Sequence, residues 1–197
     1  KDKTIKIRNM QTGECLSTLE SHTNWVRALI INNQNELISG SADNSIKIWN
    51  IKTGECLRTL NGHLHNIMVL IINDENKLIS GSWDHTIKIW NMETKECLST
   101  LKGHTDAVFA LVINNDNELV SGSIDKTIKI WNMTTGECLR TFQAYSNHVA
   151  ALIINKNNEL VSDGAGDGYI QIFNIKTGEC IRKFKGHSNT VFSLVID

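Results

Sequence analysis

Ser80–Asn91, SGSWDHTIKIWN, packs two serines, an aspartate, a histidine and two tryptophans into one short segment. Serine, histidine and aspartate are the side chains from which nucleophilic hydrolases are built, so the stretch is either a chemical centre or a structural element needing the same groups. Its surroundings decide, because the pattern returns along the chain. Asp2, Asp43, Asp84, Asp125 and Asp167 each precede a run like TIKIW, and Trp49, Trp90 and Trp131 sit six residues after their aspartates. Arg8 and Phe173 take the equivalent places. His22, His63, His104 and His187 open successive units, mostly as Gly-His, with Tyr145 at the fourth position. Cys15, Cys56, Cys97, Cys138 and Cys180 follow at spacings of 41, 41, 41 and 42 residues.

A period of about 40 residues with Gly-His and a terminal tryptophan is the sequence form of a β-propeller blade. The one register slip falls where SDGAGD (162–167) replaces SGSID, which reads as a loop insertion. Each unit reads as four short strands. Ile67–Ile72, IMVLII, is a continuous apolar run of the kind expected when both faces of an inner strand are buried. NDEN is a polar turn, KLISGS a second strand, WDHT a tight turn, IKIW a third strand and ECLSTL the outer one. The loop before that outer strand usually reads TGE, with Gly13, Gly54, Gly136 and Gly178 suited to a positive φ. Lys95 replaces this glycine once, so its hairpin should carry strain or adopt another turn. No helical periodicity of useful length occurs and proline is absent. The expected class is all-β.

Composition removes several functions. With 20 basic and 21 acidic residues in 197 and no Lys/Arg run, the electrostatic footprint of a nucleic-acid binder is missing. So is the polybasic segment of a membrane-surface protein. The longest apolar runs are too short to span a bilayer. The opening KDKTIKIRN lacks the apolar core of a signal peptide, which disfavours secretion. The cysteine count is odd, no CxxC occurs and the ligand pairs of a zinc site are absent. Each cysteine therefore reads as a small buried hydrophobe on a strand. No metal and no cofactor is expected, and reduced thiols fit the cytoplasm, or the nucleus.

The Gly-His dipeptide, the apolar strand after it and LISGSxDxTIKIW together resemble the WD40-repeat family, whose naming dipeptide appears here as Trp-Asn. The likeness covers essentially the whole chain. It implies a β-propeller of four-stranded antiparallel blades with complete repeats at about 22–60, 63–101, 104–142 and 145–184, and partial blades at 1–19 and 187–197. It also implies a hydrogen-bond network inside each blade. The first network is His22, Asp43, Trp49 and either Ser39 or Ser41. The second is His63, Asp84, Trp90 and either Ser80 or Ser82, and the third His104, Asp125, Trp131 and either Ser121 or Ser123. The two serines of each pair lie two residues apart and face the same way, and Ser41, Ser82 and Ser123 stand as the network members. A buried indole N–H without an acceptor costs about 1–3 kcal/mol, which gives the repetition a motive. An enzyme needs one nucleophile and one base in a cleft unlike its surroundings, whereas this trio recurs in every complete unit. The expectation is a non-enzymatic chain. The fourth unit, with Tyr145, Phe173 and a shifted serine spacing, should be looser, and His65 and His85 read as solvated turn residues.

Residues that differ between equivalent positions are free to specify a partner. In WD40 proteins the top-face positions flank the first apolar residue of the inner strand or precede the turn aspartate. By this resemblance they are Trp25 and Arg27, Asn66 and Met68, Ala107 and Phe109, His148 and Ala150, and Thr190 and Phe192, with Ala42, Trp83, Ile124 and Gly166 at the third position. Trp25, Arg27, Asn66, Met68, Trp83, Phe109, Ile124, His148 and Phe192 are the candidate partner-binding residues. Contiguous apolar surface rimmed by polar groups suits a protein or peptide ligand, and Trp with Arg is a hot-spot composition. The expected function is a protein-interaction scaffold. A substrate-receptor or regulatory domain of a larger enzyme is the alternative. The sequence opens before a third strand and ends after an inner one, so it reads as part of a larger ring; an open ring would expose unpaired strand edges and favour self-association.

Overall fold

The computed structural model describes residues 2–143, 148–164, 168–186 and 194–195. Every element in them is a β-strand. β1 (Ile5–Arg8) and β2 (Cys15–Leu19) form a two-stranded sheet. Four antiparallel sheets of four strands follow, each built in chain order. They are β3 (Val26–Ile31), β4 (Glu36–Ser41), β5 (Ser45–Asn50) and β6 (Cys56–Asn61); β7 (Ile67–Ile72), β8 (Leu78–Ser82), β9 (Ile87–Trp90) and β10 (Cys97–Leu101); β11 (Val108–Ile113), β12 (Leu119–Ser123), β13 (Thr127–Trp131) and β14 (Cys138–Gln143); and β15 (Val149–Ile154), β16 (Glu159–Gly164), β17 (Tyr169–Asn174) and β18 (Cys180–Lys185).

The chain divides into two compact units, Lys1–Asp84 with Lys88–Leu98, and His85–Ile87 with Ser99–Asp197. In the first, Ile38, Ile46, Ile48, Leu60, Ile67, Leu70, Leu78 and Trp90 make a buried core, and Trp49 packs with Ile5, Leu19 and Leu37 in a second cluster. In the second, Val120, Ile128, Ile130, Val149, Leu160 and Phe173 do the same. The second strands β8 and β12 are buried at every residue. The first strand is less uniform. Ile67 and Leu70 of β7 are buried, but along β3 half-buried and exposed residues alternate.

Each first strand whose register is described carries a β-bulge at its second residue: Arg27, Met68, Phe109 and Ala150 are the extra residues opposite Ser41–Gly40, Ser82–Gly81, Ser123–Gly122 and Gly164–Asp163. A bulge bends the strand and re-aims a side chain. Sequence periodicity gives no sign of it, since the run stays apolar on both sides.

Two sequence expectations are corrected or resolved here. The cysteines are not buried: Cys15, Cys97, Cys138 and Cys180 are exposed, Cys56 is half-buried and all are free thiols. They open the outermost strand of each sheet, where no further strand of that sheet covers them. Four of the thiols turn back on their own strand, donating to the carbonyls of Ser17, Arg58, Arg140 and Arg182 at 3.4–3.6 Å. The hairpin with Lys95 keeps the common turn and takes the strain, with Lys95 at φ 66° against 73–77° for Gly13, Gly54, Gly136 and Gly178. Asn91 holds that turn by accepting the N–H groups of Glu93 and Thr94 at 2.9 and 3.0 Å.

A left-handed conformation costs an L-residue about 1–2 kcal/mol, partly offset by the greater freedom glycine loses on folding. Lys95→Gly should therefore stabilise the chain by roughly 0.5–1 kcal/mol in denaturant unfolding. A destabilised variant would show that the lysine side chain makes a contact worth more than the strain.

Candidate functional site

Three of the four-stranded sheets contain the same buried relay. In the first, the Trp49 indole N–H donates to Ser39 Oγ at 2.8 Å, Ser39 Oγ lies 2.7 Å from His22 Nε2, and His22 Nδ1 lies 2.8 Å from Asp43 Oδ2. The second repeats it with Trp90, Ser80, His63 and Asp84 at 2.8, 2.7 and 2.7 Å. The third uses Trp131, Ser121, His104 and Asp125 at the same distances. The proton positions follow from counting donors. An ionised aspartate only accepts, so Nδ1 carries the hydrogen; Nε2 of the neutral ring then accepts the serine O–H, whose oxygen in turn accepts the indole N–H.

Of the two serines in each pair, the one that joins the indole and the imidazole is therefore Ser39, Ser80 or Ser121. The assignment of Ser41, Ser82 and Ser123 to that role is corrected. Both serines point to the same face, but only the earlier one lies beside the third-strand tryptophan: Leu37 pairs with Trp49 and Leu119 with Trp131, placing Ser39 and Ser121 two residues along from that rung. The later serine works at the turn. Ser41, Ser82 and Ser123 donate to the carbonyls of Asn24, His65 and Asp106 at 3.0–3.1 Å, and accept the N–H of Asp43, Asp84 and Asp125 at 3.0–3.1 Å. Each clamps the loop before the first strand to the turn after the second.

Ser-O–H to imidazole to carboxylate is also the polarity of a hydrolase triad. Here the serine oxygens of Ser39, Ser80 and Ser121 are fully buried and already accept an indole proton, so a substrate carbonyl has no approach to them. Among the described residues no three His, Cys, Asp or Glu side chains gather as a metal site.

The relay's electrostatics follow from burial. Burial pushes His22 and His104 below the ordinary histidine value and outweighs the opposing pull of Asp43 and Asp125. Burial alone would raise the aspartates, but hydrogen bonds win. Those from Ser45, the Thr23 N–H and His22 hold Asp43 at about 2, and those from Thr127, His104 and the Thr105 N–H hold Asp125 at about 2. Ser45 and Thr127, two residues after their aspartates, donate at 2.6 Å and were legible only as the Asp-x-Ser/Thr spacing.

The positions that vary sit at the clamped end of each sheet. In the first unit, the Ala42 N–H donates to the Trp25 carbonyl at 2.8 Å and the Trp83 N–H to the Asn66 carbonyl at 2.9 Å, which brings the two sets of variable positions together within each sheet. Trp25 and Trp83 are 37% and 41% exposed, large for tryptophan on a strand end. The Arg27 guanidinium lies 5.0 Å from the Trp25 ring centre. Trp83 stacks on His65 at 5.8 Å. His65 is exposed, as a solvated residue would be, but it is also ordered: its Nδ1 accepts the Asn66 N–H at 2.9 Å. Nothing in its sequence context pointed to this role. Asn66 and Met68 are half-buried. In the second unit, Ile124 N–H donates to the Ala107 carbonyl at 2.9 Å, Ala107 is buried, and half-buried Phe109 and His148 meet at 6.1 Å. Burial lowers the His148 pKa. In the fourth full sheet Phe173 is buried in the tryptophan's place and packs on Phe142 at 5.8 Å. Tyr145, Gly166, Asp167, His187, Thr190 and Phe192 lie outside the described residues.

Four-stranded antiparallel sheets repeated in chain order, three of them locked by one indole–serine–histidine–aspartate relay, define a repeat protein of β-propeller blades. The WD40 repeat (WD domain, G-beta repeat) matches at residues 13–50, 54–91, 95–132 and 136–174, and the chain belongs to this family. Each matched segment takes in the outer strand of one sheet and the first three strands of the next. Comparison with curated proteins finds no match. WD40 domains are generally protein-interaction scaffolds and typically non-catalytic.

Two outcomes test the relay. Ser80→Ala strips a buried indole N–H and an imidazole nitrogen of their shared partner and should cost about 1–3 kcal/mol in unfolding free energy. At both titrating groups the folded chain binds fewer protons than the unfolded one. The contribution of His22 and His104 is thus complete above the ordinary value of 6.5 and shrinks as pH falls below it. That of Asp43 and Asp125 is complete above 3.8 and is lost towards about 2. The melting temperature should be flat above pH 7, decline from about 6.5 and fall further below about 4. A higher melting temperature at pH 5 than at pH 7.5 would contradict this.

Proposed function

We propose that the chain is a non-enzymatic docking platform that holds a protein or peptide through the sheet ends carrying Trp25, Arg27, Asn66, Met68 and Trp83, with Phe109, Ile124 and His148 as the corresponding residues of the second unit. One observation carries the reading. Trp25 and Trp83 are exposed at positions where the other units have asparagine, alanine and histidine for the first and alanine, isoleucine and glycine for the second, yet each ring is held against a cationic or imidazole partner. Aromatic anchors that are ordered before binding lose little freedom on contact, and Trp and Arg are enriched among the residues that dominate interface energetics. The bulge and the second serine fix the backbone beneath them. The near-neutral charge suits a protein ligand better than nucleic acid or a membrane surface. Exposed free thiols suit a reducing compartment, the cytoplasm or nucleus.

Trp25→Ala combined with Trp83→Ala should leave the far-UV circular dichroism spectrum unchanged and shift stability by no more than about 1 kcal/mol, as surface substitutions do. In crosslinking pull-downs the same variant should lose the proteins that the unaltered chain retains. An unfolded double variant would instead place both tryptophans in the core.

A further inference from the structure

His65 joins the loop before β7 to the exposed ring of Trp83, and its backbone bond is one that the equivalent residues also make. Trp25 N–H donates to Asn24 Oδ1 at 2.8 Å, Asn66 N–H to His65 Nδ1 at 2.9 Å and Ala107 N–H to Asp106 Oδ1 at 2.7 Å. The bond fixes the chain just before the first strand of each sheet. Its acceptor is an amide, an imidazole and a carboxylate in turn. An amide does not titrate and a carboxylate ordinarily does so near about 4, whereas an imidazole changes charge between about pH 5 and 8.

A backbone N–H only donates, so His65 Nδ1 carries no hydrogen and the neutral ring bears its proton on Nε2. The next proton can enter only at Nδ1. There it sets two donors 2.9 Å apart, and an imidazolium has no acceptor left to offer. The ring must turn from Asn66, and this ring is the one that Trp83 stacks on, at 5.8 Å between centres and 30° between planes. The attraction of an imidazolium for an indole face does not rescue the stack, because the orientation that makes it sets Nδ1 against the Asn66 N–H. The loop itself stays in place. Ser82 Oγ donates to the His65 carbonyl at 3.0 Å and the Trp83 N–H to the Asn66 carbonyl at 2.9 Å.

Other ionisable groups stand on the elements around it. Asp84, next to Trp83, accepts the Leu64 N–H at 2.9 Å and lies 2.7 Å from His63 Nδ1, and His85 follows it in the turn. Asp43 belongs to the neighbouring turn, whose Asn44 donates to the Leu64 carbonyl at 3.3 Å, and is bonded to His22, Thr23 and Ser45. Arg27 of β3 lies over Trp25 at 5.0 Å.

We propose that His65 makes the Trp83 anchor acid-labile: the neutral ring holds the indole ready for a partner, and a proton taken up at Nδ1 turns the ring away and loosens the grip. The Trp25 anchor has Asn24 in this place and keeps its order across the same range. The consequence for binding rests on the docking reading above, but the switch is a property of the free chain.

Nuclear magnetic resonance of the isotope-labelled chain at about pH 7.5 and about pH 5.5 tests this. At the higher pH the His65 ring should be the Nε2–H tautomer, with Overhauser contacts to the Trp83 ring. On acidification those contacts should vanish and the Asn66 amide should lose about fivefold of its protection against solvent exchange, while the Trp25 and Ala107 amides keep theirs. His65→Asn, which supplies the acceptor that Asn24 supplies, should make Asn66 indifferent to pH. An Nδ1–H tautomer, ring contacts that persist in acid, or unchanged Asn66 protection would overturn the proposal. So would an equal loss in His65→Asn, which would give the response to the buried relay histidines. A Trp25/Trp83 double variant that still captures its partners bears on the docking reading alone, so the two fail separately.

Discussion

An indole N–H buried inside a β-sheet has to be given an acceptor, and in this chain the acceptor is a serine oxygen that must itself be oriented. The histidine takes the serine's proton, the aspartate takes the histidine's, and backbone and hydroxyl donors at the turn satisfy the aspartate. The relay thus reaches from the third strand through the second to the loop before the first, and finishes at the turn between the second and third. Remove a member and a buried polar group is left without its partner, which costs more than the bond itself was worth. Such a relay needs the same four residue types at the same spacings in each sheet where it occurs. That is why the chain repeats, and why the repeated groups coincide with those of a hydrolase without sharing its chemistry.

On top of this constant part lies a variable one. The bulged residues Arg27, Met68, Phe109 and Ala150 and the residues before the turn aspartates are fixed in backbone position but not in identity. The later serine of each pair, outside the indole relay, is what joins these two sets by holding the first-strand loop to the turn. Rigid backbone with free side chains is the condition under which a surface tryptophan can act as a preorganised anchor. Trp25 on its arginine and Trp83 on its histidine meet that condition at two sheet ends of one unit.

The four-stranded unit and its turns were legible from the residues, because strand period and turn chemistry are local in sequence, whereas the histidine, aspartate and tryptophan of the relay were implied by the resemblance to WD40 repeats. The identity of the relay serine was not. Ser39 and Ser41 share a face, and which one lies beside Trp49 depends on the rung at which β4 meets β5. The thiols were misread for a related reason. A cysteine in an alternating strand looks like a core residue, but these open the last strand of a sheet, and position in a sheet is not written in the strand. Lys95 could be read as strained or rerouted; the asparagine side chain that pins the turn decided for strain.

By itself the sequence determined what each unit is made of: four short strands, with a glycine suited to a left-handed turn before the outer strand in most units, and one set of histidine, serine, aspartate and tryptophan that recurs in three of them. Strand period and turn chemistry depend on residues a few positions apart. Only the tertiary structure decided which serine closes the relay, where the bulge falls and that His65 stacks against Trp83. Each of these rests on which strand happens to lie alongside another, a property of the folded neighbours and not of the residue or its spacing.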